Sequence, residues 1–267
     1  MLTSALSIAG FDGSGGAGLQ ADLKTFSALG CYGMSVLTAL PIQNTCGVRN
    51  CFNLPLKAIE EQLDAIFSDI TPNVIKIGML FNQEIVHIVA EFLAKHAQNI
   101  PIVLDPVMVA KSGDYLLLPE AIETLKQELI PQVTLITPNI NEAQALSGVK
   151  IATPNDMLKS AEIIHQLGNV NVLLKGGHLD GMSCDDLLFT ESAQYWFKAP
   201  RIETINTHGT GCTLSAAIAA NLAHGNDLIT SCQNAKNYLY QAMLSFKDIT
   251  IGHGHGPVNH FHQWWNK

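Results

Sequence analysis

Six short, mainly apolar segments recur along the chain, and amphipathic stretches with a helical period separate them. This alternation constrains the fold more than any other feature, because continuous apolar strands need cover on both faces of a sheet. It predicts an α/β fold with a mainly parallel central sheet and helices on both faces, a three-layer sandwich. The apolar segments are residues 6–9, 34–39, 74–77, 102–104, 134–136 and 170–174.

The intervening segments carry the pattern expected of helices packed on such a sheet. Leu19, Leu23 and Phe26 fall on one stripe, as the helical period requires. No internal repeat, low-complexity tract or Pro/Ser-rich linker marks a boundary, so we expect a single domain over residues 1–267. We also expect two final helices over about 210–224 and 228–246, and an antiparallel hairpin over about 187–189 and 195–197.

The composition excludes several classes of protein. The 267 residues are 47% apolar and carry a net charge of −8, which fits a large core and excludes disorder and a basic duplex-binding surface. The N-terminus lacks the basic flank of a signal peptide, and no apolar run approaches the roughly 20 residues of a membrane span. We therefore expect a cytoplasmic protein with reduced cysteines and with neither a nucleic-acid nor a membrane partner.

Ligands of open α/β sheets bind beyond the carboxyl ends of the strands, so the loops there are the candidate sites. The first is the glycine-rich segment 10–18, in which three glycines match G-x-G-x-x-G. A dinucleotide site would also need an acid after the second strand, and residues 34–40 contain none, which disfavours a dehydrogenase. The alternatives are a tight glycine turn, or room for a flat ligand with a polar contact from Asp12 or Asp22.

A second candidate loop lies near the C-terminal third of the chain. No P-loop string is present, but residues 206–213 precede a helix rich in small residues. The backbone N–H groups of Gly209, Thr210 and Gly211 could converge there on an anion, assisted by the helix dipole. Cys212 lies in the first turn, where the same field would lower the pKa of its thiol and make it a candidate base or nucleophile. Packing of a buried cysteine is the alternative.

Two further strand ends carry polar residues, and Asp105 follows a third buried strand. Asn139 and Glu142 form an N-x-x-E pair on one helical face, where an amide oxygen and a carboxylate could orient waters on Mg²⁺. A capping box needs the same two residues, so both interpretations stay open. Lys175, in a Lys-Gly-Gly-His string with His178, ends a buried strand and therefore needs a phosphate or a carboxylate partner.

Two last features concern a single amide and a histidine-rich tail. Gln43 follows the second strand, and its amide both donates and accepts hydrogen bonds, as an aminopyrimidine edge requires. The terminal segment 252–262 contains four histidines, but no carboxylate or cysteine lies close by to complete a metal site. A glycine-rich lid or surface tail is therefore favoured over a metal tract.

Taken together, these segments resemble the ribokinase-like superfamily, and most closely its hydroxymethylpyrimidine/phosphomethylpyrimidine kinase family of thiamine biosynthesis. The resemblance runs nearly end to end, and it implies a ribokinase-like three-layer sandwich and a homodimer. The matched strings are residues 14–26, 43–45, 76–80, 105–108, 137–139, 175–178 and 207–213.

The resemblance also implies ATP and Mg²⁺ as cofactors and a role for each matched residue. Cys212 matches the catalytic residue, Lys175 the group that faces the ATP phosphates, and residues 209–211 the anion hole. The residues implied for the nucleotide and for magnesium, held through water, are Asn139, Glu142, Lys175 and Asp105. The residues implied for the pyrimidine pocket are Gln43, Asp22, Gly10, Met79 and Val107.

The implied activity is ATP-dependent phosphorylation of 4-amino-5-hydroxymethyl-2-methylpyrimidine and then of its monophosphate. Three positions depart from the family's pattern, in which a small polar residue, a proline and a lysine are usual: Phe11, Gly13 and His253. A pyridoxal or pyridoxine kinase of vitamin B6 salvage is the alternative within the same chemistry. A catalytically silent binding protein is disfavoured, because Cys212 and Glu142 are both intact.

Overall fold

An eight-stranded sheet forms the centre of the protein. The computed structural model describes residues 2–109, 116–177 and 182–265. The strands of this sheet and of a separate two-stranded sheet, β3–β4, are β1 Ser4–Ala9, β2 Tyr32–Leu37, β3 Ala39–Asn44, β4 Gly47–Asn53, β5 Val74–Ile77, β6 Ile102–Leu104, β7 Leu135–Ile136, β8 Asn171–Leu174, β9 Asp186–Phe189 and β10 Gln194–Phe197. The order across the large sheet is β10-β9-β8-β7-β6-β5-β1-β2. Among the described residues, β9 pairs antiparallel with both neighbours and the other pairings of this sheet are parallel.

Helices cover both faces of the sheet. They are α1 Gly18–Ala28, α2 Leu56–Phe67, α3 Gln83–His96, α4 Ala121–Thr124, α5 Ile140–Ser147, α6 Pro154–His165, α7 Thr210–Ala223 and α8 Leu228–Ser245. A π-helical turn, Leu125–Leu129, and a 3₁₀ turn, Ile130–Gln132, follow α4 directly. None of the described helices is long and apolar enough to cross a membrane.

Strand β1 explains how one sheet supplies two cores. Its six residues are all buried, and successive side chains of a strand point to opposite faces. Leu6 and Ile8 therefore join the apolar cluster formed with α2, α3, α5 and α6, whereas Ala5 joins the cluster formed with α1, α7 and α8. The predicted three-layer α/β sandwich, the edge hairpin and the two final helices are confirmed. The six cysteines are free thiols, as expected.

The small antiparallel sheet β3–β4 is the main element that the sequence pattern missed. It stands outside the large sheet, and its two strands pair with each other, with a bulge between Ile42 and Gln43. Partly exposed residues along both strands, together with Pro41 inside β3, remove the regular alternation that marks a strand. The expectation that Gln43 lies in a loop after the second strand is therefore wrong, because it belongs to β3.

Candidate active site

A cavity of about 560 Å³ opens at the carboxyl ends of the parallel strands. One end is lined by the β1–α1 loop and by β3, and the middle by the start of α7. The other end is lined by the segment between β10 and α7 and by one face of α8. Most of the predicted site residues line this one cavity: Gly10, Gln43, Met79, Asp105, Val107, Asn139, Glu142, Lys175, Gly209, Thr210, Gly211 and Cys212.

The glycine-rich loop after β1 is tied to the loop before α7. The buried Asp12 carboxylate accepts hydrogen bonds from the N–H groups of Gly16 and Ala17, and from Ser14. It also lies 2.8 Å from Nε2 of His208. Burial alone would raise the pKa of Asp12, but the hydrogen bonds from His208 and Ser14 outweigh it and lower the pKa to about 2. Asp12 therefore closes the loop rather than contacting a ligand.

The start of α7 has the geometry expected of an anion site. Gly209 precedes the helix with a φ of 75°, and a Cβ at this position would overlap the carbonyl oxygen of Gly16, so only glycine fits. The first N–H groups of a helix have no intrahelical partner, and the N-cap residue Gly209 has no side chain to cap them. The Thr210 N–H donates to the Thr207 carbonyl oxygen at 3.5 Å. A Cβ on Gly211 would lie 3.3 Å from Nζ of Lys175 and 3.2 Å from Oδ2 of Asp105. The helix terminus and Lys175 thus face the same point.

Lys175 has the carboxylate partner that its place at the end of a buried strand required. Its Nζ lies 2.9 Å from Oδ1 of Asp105 and 4.0 Å from Oε2 of Glu142. Burial would lower the pKa of Lys175, but the two carboxylates reverse this effect and raise it. Lys175 therefore stays a cation beside the helix terminus.

Asn139 and Glu142 form the capping box that was one of the two interpretations left open. The Asn139 side chain accepts from the Glu142 N–H at 3.0 Å, and Glu142 accepts from the Asn139 N–H at 2.7 Å. Both residues nevertheless line the cavity. Burial raises the pKa of Glu142 to about 7, although the nearby Lys175 cation opposes the shift. A second cation beside Glu142, in addition to Lys175, would favour the ionised form of the Glu142 carboxyl.

The raised pKa of Glu142 predicts a loss of stability with rising pH in the metal-free protein. Its folded-state pKa of about 7 exceeds the ordinary 4.5, so this contribution is complete below 4.5 and is lost as pH rises through 7. Gln also serves in a capping box, but it does not ionise. We therefore expect urea titrations to show that the free energy of unfolding of Glu142→Gln, relative to that of the wild type, is higher at about pH 8 than at about pH 5. An equal difference at the two pH values would contradict the assignment.

Cys212 lies at the cavity wall, above a buried ion pair. Burial raises the pKa of its thiol to about 11, although the Lys76 ammonium opposes this shift. The prediction that the helix field lowers this pKa is therefore wrong, because desolvation of the thiolate outweighs the favourable charges. Nζ of Lys76 lies 2.8 Å from Oδ2 of Asp22, and both side chains are 0% exposed.

Asp22 is the one implied pyrimidine contact that the structure does not bring to the cavity wall. Its Oδ2 accepts from the Ser7 hydroxyl as well as from Lys76, and its Oδ1 has no hydrogen-bond partner. Burial raises the pKa of Asp22 although Lys76 opposes the shift. Asp22 is hydrogen-bonded to Lys76, which does line the cavity, and its role in binding the pyrimidine stays a prediction.

The other residues implied for the pyrimidine pocket lie together at one end of the cavity. The Gln43 amide donates to the carbonyl oxygen of Phe11 at 3.0 Å, which leaves its oxygen for a further partner. A Cβ on Gly10 would lie 2.8 Å from the sulfur of Met79, so glycine here gives that side chain its room. Val107 adds an apolar side chain to the cavity wall.

Some lining residues carried no assignment in the sequence. Lys76 has the same signal as Lys175, a charge inside a buried strand, and could have been found by it. The opposite end of the cavity was missed altogether, because no sequence motif marks it. Its apolar wall, called the apolar slot below, consists of Ala199, Pro200, Ile202, Leu239 and Met243. Polar and charged residues line the same end, among them Arg201, Glu203 and the Lys236–Asp186 ion pair. His178 of the Lys-Gly-Gly-His string lies outside the described residues.

The histidine-rich tail does not form a metal centre within the described residues. His253 and His255 are exposed, whereas His260 is buried with Nε2 3.1 Å from the hydroxyl of Thr213 in α7. The preference for a glycine-rich lid or surface tail over a metal tract stays a prediction. The description as a surface tail holds only for the exposed histidines.

The sheet order, the helices on both faces and the anion site without a P-loop define a ribokinase-like small-molecule kinase. The family model described as phosphomethylpyrimidine kinase matches residues 12–259. The hydroxymethylpyrimidine/phosphomethylpyrimidine kinase of Escherichia coli is 51% identical over 264 residues, which are 98% of each chain. The chain therefore belongs to the phosphomethylpyrimidine kinase family, and the prediction of a thiamine-biosynthesis kinase is confirmed.

Two solved structures show the same fold. A phosphomethylpyrimidine kinase from Clostridium difficile is 46% identical with a TM-score of 0.80, covering 90% of this chain and 99% of that one. An ADP complex of a Bacillus subtilis pyridoxal kinase is 35% identical with a TM-score of 0.91, covering 100% of both chains. The ribokinase-like fold is thus shared by kinases that are named for two different acceptors.

Proposed function

We propose that the enzyme transfers the γ-phosphoryl group of ATP to the hydroxymethyl group of 4-amino-5-hydroxymethyl-2-methylpyrimidine, and then to the resulting monophosphate. One observation carries this proposal: Lys175, Gly211 and Cys212 meet in the middle of a single cavity. A hydrogen-bonding acceptor end lies on one side of them, and an apolar slot lies on the other. Donor and acceptor can therefore meet in line at the helix terminus.

The apolar slot between the β10–α7 segment and α8 suits a nucleotide base. The phosphates of the nucleotide would then extend toward Lys175 and the N-terminus of α7. These groups are positioned before the reaction begins, so they stabilise charge on the transferred oxygens without rearranging.

The residues present also fit a Mg²⁺ ion brought in with the nucleotide. Glu142 and Asp105 are buried carboxylates beside Lys175. The pKa of Glu142 is about 7 in the free protein, so a bound cation would stabilise its ionised form. The described residues offer no cluster of three or more ligands, which fits an ion held by one or two carboxylates, waters and phosphates. Bound Mg²⁺ would supply positive charge to the phosphoryl oxygens.

Cys212 is the group placed to receive the acceptor's proton. The hydroxyl oxygen forms a bond to the γ-phosphorus while the bond from phosphorus to the leaving oxygen of ADP breaks. The hydroxyl proton passes to the Cys212 thiolate, which becomes a thiol. Lys76 already opposes the upward shift in the pKa of Cys212, which is still about 11 in the free protein, so the thiolate that takes the proton is the minor form near neutral pH.

Gln43 is expected to set the affinity for the pyrimidine. Gln43 lines the acceptor end of the cavity, and the bond to Phe11 uses only its amide N–H, so an exocyclic amine can donate to its oxygen. Replacing Gln43 by Ala should raise the KM for the pyrimidine by about 10- to 100-fold, with kcat changed less. The reason is that the substitution removes the neutral hydrogen bond to the exocyclic amine and leaves that amine without a partner. Steady-state kinetics with varied acceptor measure this split. An unchanged KM would place the pyrimidine elsewhere.

Pyridoxal is the second candidate acceptor, because the fold is shared with pyridoxal kinases. Comparison of kcat/KM for the pyrimidine and for pyridoxal, with the same enzyme preparation and ATP–Mg²⁺, tests the proposal. We expect the pyrimidine to be preferred. A higher kcat/KM for pyridoxal would replace thiamine biosynthesis with vitamin B6 salvage.

The proposal extends to a homodimeric, cytoplasmic enzyme with one kinase domain over residues 1–267. Support for the dimer comes from the β3–β4 hairpin, where Ile42 and Phe52 are 42% and 52% exposed on an element outside the main sheet. A second copy of the chain would cover these side chains. Sedimentation velocity distinguishes the dimer from a monomer.

A further inference from the structure

The glycine- and histidine-rich terminal loop, residues 252–257, contacts two parts of the active site that are far apart in sequence. At one end it meets the turn between β3 and β4. The Gly254 N–H donates to Oγ1 of Thr45 at 3.2 Å, and the His255 N–H donates to the Thr45 carbonyl oxygen at 2.8 Å. Thr45 is two residues beyond Gln43, which lines the acceptor end of the cavity.

At its other end, the terminal loop meets the segment that leads into the anion site. The His208 N–H donates to the carbonyl oxygen of Gly256 at 3.0 Å, and His208 and Pro257 form an isolated parallel bridge. His208 directly precedes Gly209, and the His208 ring is hydrogen-bonded to Asp12 in the glycine-rich loop. The terminal loop therefore spans from the acceptor hairpin to the start of α7.

The contacts at Gly254 and Gly256 leave no room for a larger residue at either position. A Cβ on Gly254 would overlap the carbonyl oxygen of Thr45, and a Cβ on Gly256 would overlap Oδ1 of Asn206. These obstacles are a backbone atom and a buried side chain, so neither moves aside without shifting its segment. The glycines are thus required by close approach at both ends of the loop.

Within one chain, only a few hydrogen bonds between described residues tie the hairpin to the rest of the fold. Its two strands pair with each other and with neither edge of the large sheet, and an isolated two-stranded hairpin is marginally stable. Its base is held by the bond from the Phe11 N–H to the Ala39 carbonyl and by the bond from Gln43 to Phe11. Its tip is held by the terminal loop at Thr45.

We propose that residues 252–257 are a positioning segment that fixes the acceptor-binding hairpin relative to the anion site, through Thr45 at one end and His208 at the other. The inference rests on the proposed function in one respect, that Gln43 holds the acceptor. It assigns a role to the histidine-rich tail that is neither metal binding nor surface exposure. Its own residues touch no reacting group, so the segment acts on KM for the acceptor through Gln43.

Gly254→Ala is the variant that tests this inference, and Gly225→Ala is the matched control. Gly225 has a φ of 84° and no atom within 4 Å of a Cβ, so its substitution strains the backbone without displacing a neighbour. In Gly254→Ala we expect the KM for the acceptor to rise at least about tenfold, with kcat and the KM for ATP within about twofold. We also expect faster hydrogen exchange at the amides of β3, β4 and their turn.

Gly225→Ala should change none of these quantities, whatever its effect on the melting temperature. Unchanged exchange in the hairpin of folded Gly254→Ala, or faster exchange with an unchanged acceptor KM, would overturn the inference. A uniform fall in kcat and in the affinities for both substrates would also overturn it, because that pattern indicates general destabilisation. If the wild type phosphorylated no pyrimidine, the proposed function would fail, and hydrogen exchange would still decide whether the loop holds the hairpin.

Discussion

Replacing Cys212 by Ala is expected to lower kcat by about 10²- to 10⁴-fold, the usual contribution of a positioned general base. Binding of ADP with Mg²⁺ should persist, because the N–H groups at the start of α7 and Lys175 are untouched. Cys184 provides the matched control, since it is a second free cysteine that lines the same cavity. Cys184→Ala should keep kcat within about threefold of the wild type.

The pH dependence gives the same prediction a second readout. Because the pKa of Cys212 is raised to about 11, its thiolate fraction grows about tenfold per pH unit across the neutral range. We therefore expect kcat to rise between about pH 7 and pH 9 in the wild type and to be flat in Cys212→Ala. Near-wild-type turnover by Cys212→Ala would remove this thiol from the reaction.

Replacing Lys76 by Met is expected to cost about 3–5 kcal/mol of the free energy of unfolding, as is usual when one partner of a buried ion pair is removed. Both side chains of the Lys76–Asp22 pair are 0% exposed, so water cannot compensate the carboxylate left behind. The kcat should fall as well, because the Lys76 ammonium opposes the upward shift in the pKa of Cys212. Urea titration and steady-state kinetics measure the two effects.

A double variant separates the pair from a general packing effect. Lys76→Met with Asp22→Asn removes both charges, so its loss of stability should be clearly smaller than the sum of the two single losses. Lys57→Met is the surface control, because the Lys57–Glu61 pair is 80% and 68% exposed and its loss should leave stability unchanged. Additive losses in the double variant would mean that the two buried side chains do not act as a pair.

Much of this site could be predicted because strand ends and helix starts leave local signals. Lys175 ends a mainly apolar buried strand, which predicted a phosphate or a carboxylate partner, and the structure supplies a carboxylate in Asp105. The helix start at Gly209 was visible as glycines before a run of small residues. The family resemblance then joined these loops into one cavity.

The remaining features depend on distances that a sequence does not contain. The pKa of Cys212 depends on how much protein surrounds its thiol. Burial raises this pKa, whereas the position of Cys212 in the first helical turn predicted that it would be lowered. Asp22 lies on a predicted helix, but only packing shows that it turns to Lys76 instead of the cavity. The contact between Thr45 and Gly254 joins residues separated by most of the chain.

The central claim is that this kinase phosphorylates the same pyrimidine twice, with Cys212 at the point of transfer. Mass spectrometry of the products formed over time from ATP, Mg²⁺ and the hydroxymethylpyrimidine tests it most directly, with pyridoxal in a parallel incubation. The account predicts a monophosphate that appears first and then declines as the diphosphate accumulates, and neither product with Cys212→Ala at matched times. Phosphorylation of pyridoxal alone, or a pyrimidine product formed equally well without Cys212, would contradict it.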